Sequence, residues 1–203
     1  MLLDRLLDWV YPPRCSLCER FGPDSPCDRC LGLCTAWESK ELPLMPVDYA
    51  HAIFNYDGPA MEAVKALKYA RKTALAKRMA ALIRDGYDTL GHFPDAIVPV
   101  PIHWRRRCQR GFNQAEMLAE ALPADLVRPR LLVRTRATRP QVGLTTEQRL
   151  LNLVGAFGAG PLVPAHVMLI DDVYTSGQTA RECAKALKAG GAKTVGILCF
   201  ASG

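Results

Sequence analysis

Residues 167–187 read VMLIDDVYTSGQTARECAKAL, which is an apolar run, two acids, a polar loop and a helical pattern in succession. The first four residues are apolar and long enough for a buried parallel strand. After the loop, apolar residues recur at the spacing of one helix face: Ala180, Cys183, Ala184 and Leu187. A turn between a strand and a helix N-terminus exposes free backbone N–H groups and the positive end of the helix dipole. The stretch therefore predicts an anion site, and phosphate is the ligand that fits it best.

The loop and the acids before it extend this prediction to a sugar phosphate. The loop supplies hydroxyl donors and a glycine that allows close approach of the backbone: Thr175, Ser176, Thr179 and Gly177. Asp171 and Asp172 would repel a phosphate unless they hold sugar hydroxyls, a magnesium ion or both. A ribose 5-phosphate that carries a pyrophosphate satisfies all of these groups together. The simpler interpretation is a strand-to-helix turn with two capping acids.

The same residues resemble the motif that binds phosphoribosyl pyrophosphate (PRPP) in type I phosphoribosyltransferases. That motif is an apolar strand, two acids and then V-x-T-x-G-x-T, and every position is present here. The resemblance implies that PRPP, with magnesium, is bound by the whole segment: Asp171, Asp172, Val173, Tyr174, Thr175, Ser176, Gly177, Gln178 and Thr179.

Length and hydropathy indicate a globular protein of one medium domain plus a small module. The chain has 203 residues and no run of about 18 apolar residues that would span a membrane. Its first ten residues, MLLDRLLDWV, are apolar but are interrupted by Asp4, Arg5 and Asp8. This pattern predicts an amphipathic helix and not a secretory signal, which has an uninterrupted apolar core. We therefore expect a cytoplasmic protein.

The positive charge is concentrated in one part of the chain. Ten arginines and four acids lie between His103 and Arg149, whereas the other 16 basic residues are balanced by 16 acids. Arginine favours bidentate binding of phosphate groups. The segment therefore suits pyrophosphate, nucleic acid or both, although a solvated basic face would have the same composition.

Five of the eight cysteines fall between Cys15 and Cys34. Four of them form two C-x-x-C pairs, the pattern of a closed tetrahedral zinc site: Cys15, Cys18, Cys27 and Cys30. A ribbon of about thirty residues cannot bury an adequate core, so structural zinc is expected. Disulfides are the alternative, but a cytoplasmic compartment argues against them. Cys34 is expected to be a spare, partly buried thiol, Cys108 to lie in a basic loop, and Cys183 and Cys199 to pack in the core.

Alternating strands and helices predict a parallel sheet that is covered on both faces. Strands are expected at 50–56, 95–101, 131–134, 154–157 and 193–200. Helices are expected at 61–69, at 73–83 and around residues Ala115, Leu118, Ala119 and Leu122. The polar segment 135–146 has the character of a lid over a ligand, and 147–153 predicts a short helix. Two prolines mark 42–46 as a linker, which gives a module at 1–45 and a domain at 46–203.

Over nearly its whole length the chain resembles the ComF family, in which a double-CxxC zinc ribbon precedes a phosphoribosyltransferase-like domain. The resemblance implies an α/β fold of the type I phosphoribosyltransferase kind, a parallel sheet flanked by helices after a small four-cysteine zinc ribbon. The matching elements are the CxxC pairs, LKY at 67–69, VPVP at 98–101, RGFNQ at 110–114, Gln141, Leu144, Arg149, Asn152, Ala156, Phe157 and the 171–179 loop.

The resemblance also implies roles for individual residues. Asp171 and Asp172 hold the ribose hydroxyls, and the loop after them binds the 5-phosphate. The segment after the 95–101 strand lies at the pyrophosphate, with Pro101, Ile102, His103 and Arg105 as its candidates. The candidate catalytic residues are Asp171, Asp172, Arg107 and Arg110, and Arg105 is a further candidate to stabilise the leaving group. Each arginine has a solvated surface position as its alternative.

Several side chains near these motifs allow two interpretations. Asn113 caps a helix or touches the ligand, and Phe112 packs in the core or offers a stacking platform. His103 is expected to be structural or on the surface and not a base. Lys68 reaches the ligand or lies on the exposed face of a helix, and the exposed position is the one expected.

Two functions follow from these observations. The first is a magnesium-dependent phosphoribosyltransferase whose acceptor the sequence does not identify. The second is a non-catalytic protein that binds single-stranded DNA and uses PRPP, if at all, as an effector. The resemblance implies a part in DNA uptake and natural competence, with single-stranded DNA and competence proteins as partners. Trp104 and Phe112 among arginines would suit base stacking and backbone tracking. The oligomeric state stays open.

Overall fold

Four parallel strands form the central sheet of the computed structural model, which describes residues 12–38, 45–70, 72–136 and 153–203. The strands are β1 (Tyr49–Asn55), β2 (Ala96–Pro99), β5 (His166–Tyr174) and β6 (Thr194–Ser202), and their order in the sheet is β1-β6-β5-β2. Two further strands, β3 (Leu132–Arg134) and β4 (Phe157–Ala159), pair antiparallel to each other beside this sheet. The predicted parallel sheet is therefore confirmed, but the strand predicted at 131–134 lies outside it, and so does the one predicted at 154–157, which is found at Phe157–Ala159.

Helices cover both faces of the parallel sheet. The described helices are α1 (Asp28–Leu31), α2 (Gly58–Tyr69), α3 (Ala74–Thr89), α4 (Trp104–Arg110), α5 (Gln114–Ala119) and α6 (Gln178–Ala189). One core packs α2, α3 and α5 on the sheet, with Leu67, Met79 and Leu118 against Met168 and Ile170. The other core packs α6 and the β3–β4 pair on the opposite face. The α/β prediction is confirmed. None of the described helices is long and apolar enough to cross a membrane.

Three of the differences from the sequence-based prediction have a clear physical reason, which is a tertiary contact for the first two and a local helix cap for the third. α3 continues past Ile83 to Thr89, and Gly86 suits this position because Ile53 Cδ1 lies where a Cβ would stand. β5 runs through both acids to Tyr174, since β6 pairs with it as far as Ser202. The basic segment that was expected to be a loop is the helix α4, which begins after His103 because His103 Nδ1 accepts a hydrogen bond from the Arg105 amide.

The cysteine ribbon docks on the helix α2 and on the edge strand β1. Ala36 pairs antiparallel with Phe54 of β1, and Lys72 Nζ donates to the Ser16 carbonyl at 2.7 Å. Leu17 packs against the core that includes α2. A division of the chain at residue 45 stays a prediction. Several predicted features lie wholly or mostly outside the described residues: the amino-terminal amphipathic helix, the 42–46 linker, the 135–146 lid, the 147–153 helix, Gln141, Leu144, Arg149 and Asn152.

Candidate functional site

A cavity of about 510 Å³ opens at the carboxyl ends of β2 and β5, the edge at which open α/β sheets bind ligands. It brings together residues that are distant in the described chain. They are Lys68, Tyr69, Val100, Pro101, Ile102, Arg106, Gln109, Arg110, Asn113, Gln114, Arg134, Asp171, Asp172, Val173, Thr175 and Thr179. A second hollow of about 30 Å³ adjoins it and is lined by residues of the 171–180 segment and Ile197.

The acids on β5 form one wall of this cavity, and a lysine from α2 neutralises part of their charge. Lys68 Nζ lies 2.8 Å from Asp172 Oδ1, and the two side chains are only 19% and 4% exposed. Burial would lower the pKa of Lys68, but the charges of Asp172 and Asp171 outweigh it and raise that pKa. The expectation of a surface position for Lys68 was wrong, because the end of α2 lies over the carboxyl end of β5.

Asp171 occupies the opposite face of β5 and lacks a comparable ion pair among the described residues. Its Oδ1 accepts a hydrogen bond from the Asp172 amide at 2.8 Å. Burial, followed by repulsion from Asp172, raises the pKa of Asp171 to about 7, against the smaller effects of Lys68 and of the Asp172 amide. Ionising a carboxyl group at such a position destabilises the ligand-free protein. Carboxyl groups with strongly raised pKa values are typical of functional sites.

The predicted phosphate loop joins β5 to α6. Gly177 takes the left-handed conformation, with φ of 67°, and directly precedes the first residue of α6, Gln178. Thr175 and Thr179 line the main cavity, while Ser176, Gly177 and Gln178 line the adjoining hollow. The twelve-residue helix α6 directs its N-terminus toward this hollow, so its free N–H groups and dipole favour an anion there. Tyr174 packs against the core under α6.

Three arginines also line the cavity. Arg106 and Arg110 come from α4, and Arg134 comes from the end of β3. Burial, and then Arg106, lowers the pKa of Arg134 to about 10, and burial with Arg110 lowers the pKa of Arg106. Clustered guanidinium groups with lowered pKa values mark a strongly positive wall that suits a polyanion. Arg134 is not among the site residues predicted from the sequence. The only indication in the sequence is that an arginine ends an apolar strand.

The structure does not bring every predicted pyrophosphate or catalytic residue to the cavity. Pro101, Ile102 and Arg110 line it, whereas His103, Arg105 and Arg107 are not among the described lining residues. Arg107 Nη1 instead lies 2.6 Å from Glu116 Oε1, and Arg105 lies over the ring of Trp104, with its Cζ 5.4 Å from the ring centroid. His103 is buried at the start of α4, and burial together with Arg134 lowers its pKa, so the neutral ring caps the helix.

The RGFNQ segment divides into structural and cavity-facing side chains. Asn113 Oδ1 accepts a hydrogen bond from the Ala115 amide at 3.2 Å, and its Nδ2 donates to the Val100 carbonyl at 3.1 Å. Asn113 therefore caps α5 and ties it to the end of β2. Phe112 is partly buried and packs against the core. Gln114, the first residue of α5, is buried and lines the cavity.

The two C-x-x-C pairs meet in space as the zinc prediction requires. The sulfurs of Cys15, Cys18, Cys27 and Cys30 all lie within 4.8 Å of one another. Individual S···S distances are 3.9 Å between Cys15 and Cys30 and 3.6 Å between Cys18 and Cys27. A tetrahedral ion with Zn–S bonds of about 2.3 Å needs sulfurs about 3.8 Å apart, so the four thiols could hold zinc. Cys34 is not in the cluster, and its Sγ donates to the Cys30 carbonyl.

Comparison with known proteins gives relatives across most of the chain, although no family model matches. The chain is 32% identical to the DNA utilization protein YhgH of Salmonella typhimurium over 201 residues, which cover 92% of this chain and 84% of that protein. It is 34% identical to the competence protein F of Haemophilus influenzae over 131 residues, 61% of this chain and 57% of that protein. It is 28% identical to the competence protein ComFC of Streptococcus pneumoniae over 190 residues, 89% of this chain and 84% of that protein.

Proposed function

Because this chain belongs to the ComF family of competence and DNA-utilization proteins, we propose that it binds PRPP with magnesium and acts in the handling of DNA. The observation that carries the proposal is the shared cavity. The acids at the end of β5, residues of the loop that follows them and three arginines all line it. PRPP matches this arrangement, because it has hydroxyls for the acids, a 5-phosphate for the loop and a pyrophosphate for the arginines.

In this proposal the acids, the loop and the arginines each bind a different part of PRPP. Asp171 and Asp172 hold the ribose hydroxyls, and the backbone and hydroxyls of residues 175–179 hold the 5-phosphate. The pyrophosphate lies along Pro101 and Ile102, facing Arg106, Arg110 and Arg134. Magnesium, when bound with PRPP, neutralises charge on the phosphate oxygens. If the bond between C1 and the pyrophosphate breaks, the arginines stabilise the charge on the leaving group, as a phosphoribosyltransferase requires.

Calorimetric titration of PRPP into the protein, with and without magnesium, tests this proposal. We expect magnesium-dependent binding that Asp171→Asn weakens by about tenfold to a hundredfold, the effect of losing a hydrogen bond to a charged group. Asp85→Asn makes the same chemical change on the exposed side of α3 and should bind like the wild type. Absence of binding by the wild-type protein at millimolar PRPP would contradict the proposal.

Asp171→Asn is a useful variant because we do not expect it to destabilise the folded protein. Because the pKa of Asp171 is raised from its ordinary 3.8 to about 7, its ionisation costs the folded protein stability as the pH rises from about 4 to 7, and the full loss persists above pH 7. Asparagine is neutral and can still accept the bond from the Asp172 amide. Without ligand or magnesium we expect its melting temperature at pH 8 to rise, by about 2–4 °C for each kcal/mol gained. This gain should shrink steadily from pH 7 down to about pH 4, below which the wild-type carboxyl is protonated in the folded and the unfolded protein alike.

The ribbon has a separate part in the proposal: its four thiolates bind a structural zinc ion. The site would be closed, with four protein ligands and no open position, so it would stabilise the fold and perform no chemistry.

Exposed aromatic side chains beside arginines favour binding of single-stranded DNA as a second activity of the same protein. Trp104 is 62% exposed next to Arg105, and Tyr69 is 66% exposed with Arg110 5.7 Å from its ring centroid. Trp104 and Arg110 stand at opposite ends of α4, about 9 Å apart along the helix axis. Such pairs combine base stacking with attraction to the phosphate backbone.

Fluorescence anisotropy with a labelled oligothymidylate tests this activity. Trp104→Ala should lose about 1–3 kcal/mol of binding free energy, the usual contribution of one stacked base. Phe93→Ala is the matched control, because Phe93 is 86% exposed but precedes β2, at the opposite end of the sheet from the cavity. The wild-type affinity should fall as salt increases. Equal losses for both variants would argue against a DNA surface on α4.

A further inference from the structure

Gln114 lines the cavity and has a buried side-chain donor that none of the described residues accepts from. Its side chain is 2% exposed, and it lines the cavity beside Asn113. Its Nε2 is buried and has no hydrogen-bond partner among the described residues. The adjacent Asn113 differs, since both its Oδ1 and its Nδ2 make hydrogen bonds to the backbone. The side-chain amide of Asn113 therefore stabilises the fold, whereas the Nε2 of Gln114 donates to none of the described residues.

An unused buried donor has a measurable consequence for the ligand-free protein. A polar group that is buried without a partner costs about 1–3 kcal/mol, whereas an apolar side chain of the same shape avoids that cost. Methionine has nearly the volume and flexibility of glutamine, so it could fill this position in the core. An amide at this position is explained if a bound molecule supplies the acceptor that the described residues do not supply.

The location of Gln114 narrows the kind of atom that it would meet. The bond from Asn113 to the Val100 carbonyl holds the start of α5 at the carboxyl end of β2, next to Pro101 and Ile102. Two of the arginines that line the cavity, Arg106 and Arg110, lie on α4 immediately before α5. An amide N–H needs an acceptor, and an anionic oxygen is the strongest one. The hydroxyls of a ribose are instead matched by the carboxylates on β5.

We propose that the Nε2 of Gln114 donates to a pyrophosphate oxygen of the bound ligand and so helps the cavity to distinguish PRPP from ribose 5-phosphate. This inference rests on the proposed function, in which the cavity binds PRPP. Gln114 is then a binding residue of the diphosphate end, and it adds a neutral donor to a wall otherwise made of guanidinium groups. A neutral donor recognises oxygen geometry without adding to the repulsion among the arginines.

Two variants and three readouts test the inference. Gln114→Met removes the donor and keeps the volume, while Gln114→Glu replaces the amide nitrogen with an oxygen that repels the pyrophosphate. Thermal unfolding of the ligand-free protein and calorimetric affinities for PRPP and ribose 5-phosphate, both with magnesium, are measured for each. Gln114→Met should melt at or above the wild-type temperature and bind PRPP about tenfold to a hundredfold more weakly, with ribose 5-phosphate affinity within about twofold. Gln114→Glu should weaken PRPP binding further.

Each other outcome overturns the inference in a recognisable way. A lower melting temperature for Gln114→Met, with PRPP affinity unchanged, would make Gln114 a structural residue. A parallel loss of affinity for PRPP and ribose 5-phosphate would remove the claim about the diphosphate end. If the wild-type protein binds PRPP and Gln114→Met binds it equally well, only this inference fails. If the wild-type protein does not bind PRPP at all, the proposed function fails with it.

Discussion

Cys30→Ser is expected to release the metal from the ribbon and to unfold residues 12–38, while the parallel sheet stays folded. The reason is that this part of the chain buries almost nothing of its own: its only buried residues are Cys15, Ser25, Pro26 and Cys30. On the proposal that the four thiols bind zinc, metal coordination supplies the stability, and structural zinc contributes about 10–16 kcal/mol in small zinc domains. The two main cores are formed by the helices and strands of the larger domain, so they should survive.

Zinc stoichiometry and hydrogen exchange measure this result. The wild-type protein should hold one zinc per chain and protect amides in the ribbon, and Cys30→Ser should lose both while β5 and β6 keep their protection. Cys108→Ser is the control, because Cys108 is exposed on α4 and lies outside the cluster. A chelator should reproduce the loss in the wild-type protein. Unfolding of the ribbon by a thiol reductant, and not by a chelator, would instead favour the disulfide alternative.

Lys68→Met is expected to produce the largest loss of stability in the α/β domain. The substitution removes the ammonium group that lies 2.8 Å from Asp172 and leaves two carboxylates together at the end of β5. Removing one partner of a buried ion pair typically costs about 3–5 kcal/mol, because the other charge stays buried. Lys65→Met is the matched control on the same helix. The Lys65–Glu62 pair is exposed, so its loss should cost less than about 1 kcal/mol.

Denaturant unfolding at several pH values separates the charge effect from simple loss of packing. The deficit of Lys68→Met should be greatest at pH 8 and should shrink as the pH falls through 7, since burial and Asp172 already raise the pKa of Asp171 to about that value. Adding Asp172→Asn to Lys68→Met should restore most of the lost stability, because the uncompensated charge is then removed. A deficit that is independent of pH and persists in the double variant would refute the electrostatic explanation.

Sequence reasoning located the parts of the site that depend on local patterns. The strand, the acids, the loop and the helix of residues 166–189 could be predicted because each depends on a short stretch of consecutive residues. The cysteine cluster follows from two C-x-x-C turns in the same way. The family was predicted from these motifs, and the comparisons confirm it.

The arginines show why the remainder of the site was harder to predict. The sequence predicts a basic loop around Cys108, and in a loop nothing indicates which of the neighbouring arginines face a ligand. In the helix α4, residues four apart share a face, so Arg106 and Arg110 line the cavity together while Arg107 pairs with Glu116. Arg134 reaches the same cavity through the pairing of β3 with β4. No local pattern records such a pairing.

The amino-acid sequence by itself determined the fold class, the family, the 171–179 loop with its two acids and the four clustered thiols. These depend on hydrophobic periodicity and on fixed short spacings, which are complete within a single stretch of chain. Only the tertiary structure decided that Lys68 pairs with Asp172, that Arg106 and Arg134 face the cavity, and that Gln114 is buried with an unused donor. These features depend on how separate elements pack over one end of the sheet, because burial and charge pairing are set by neighbours in space and not by neighbours in sequence.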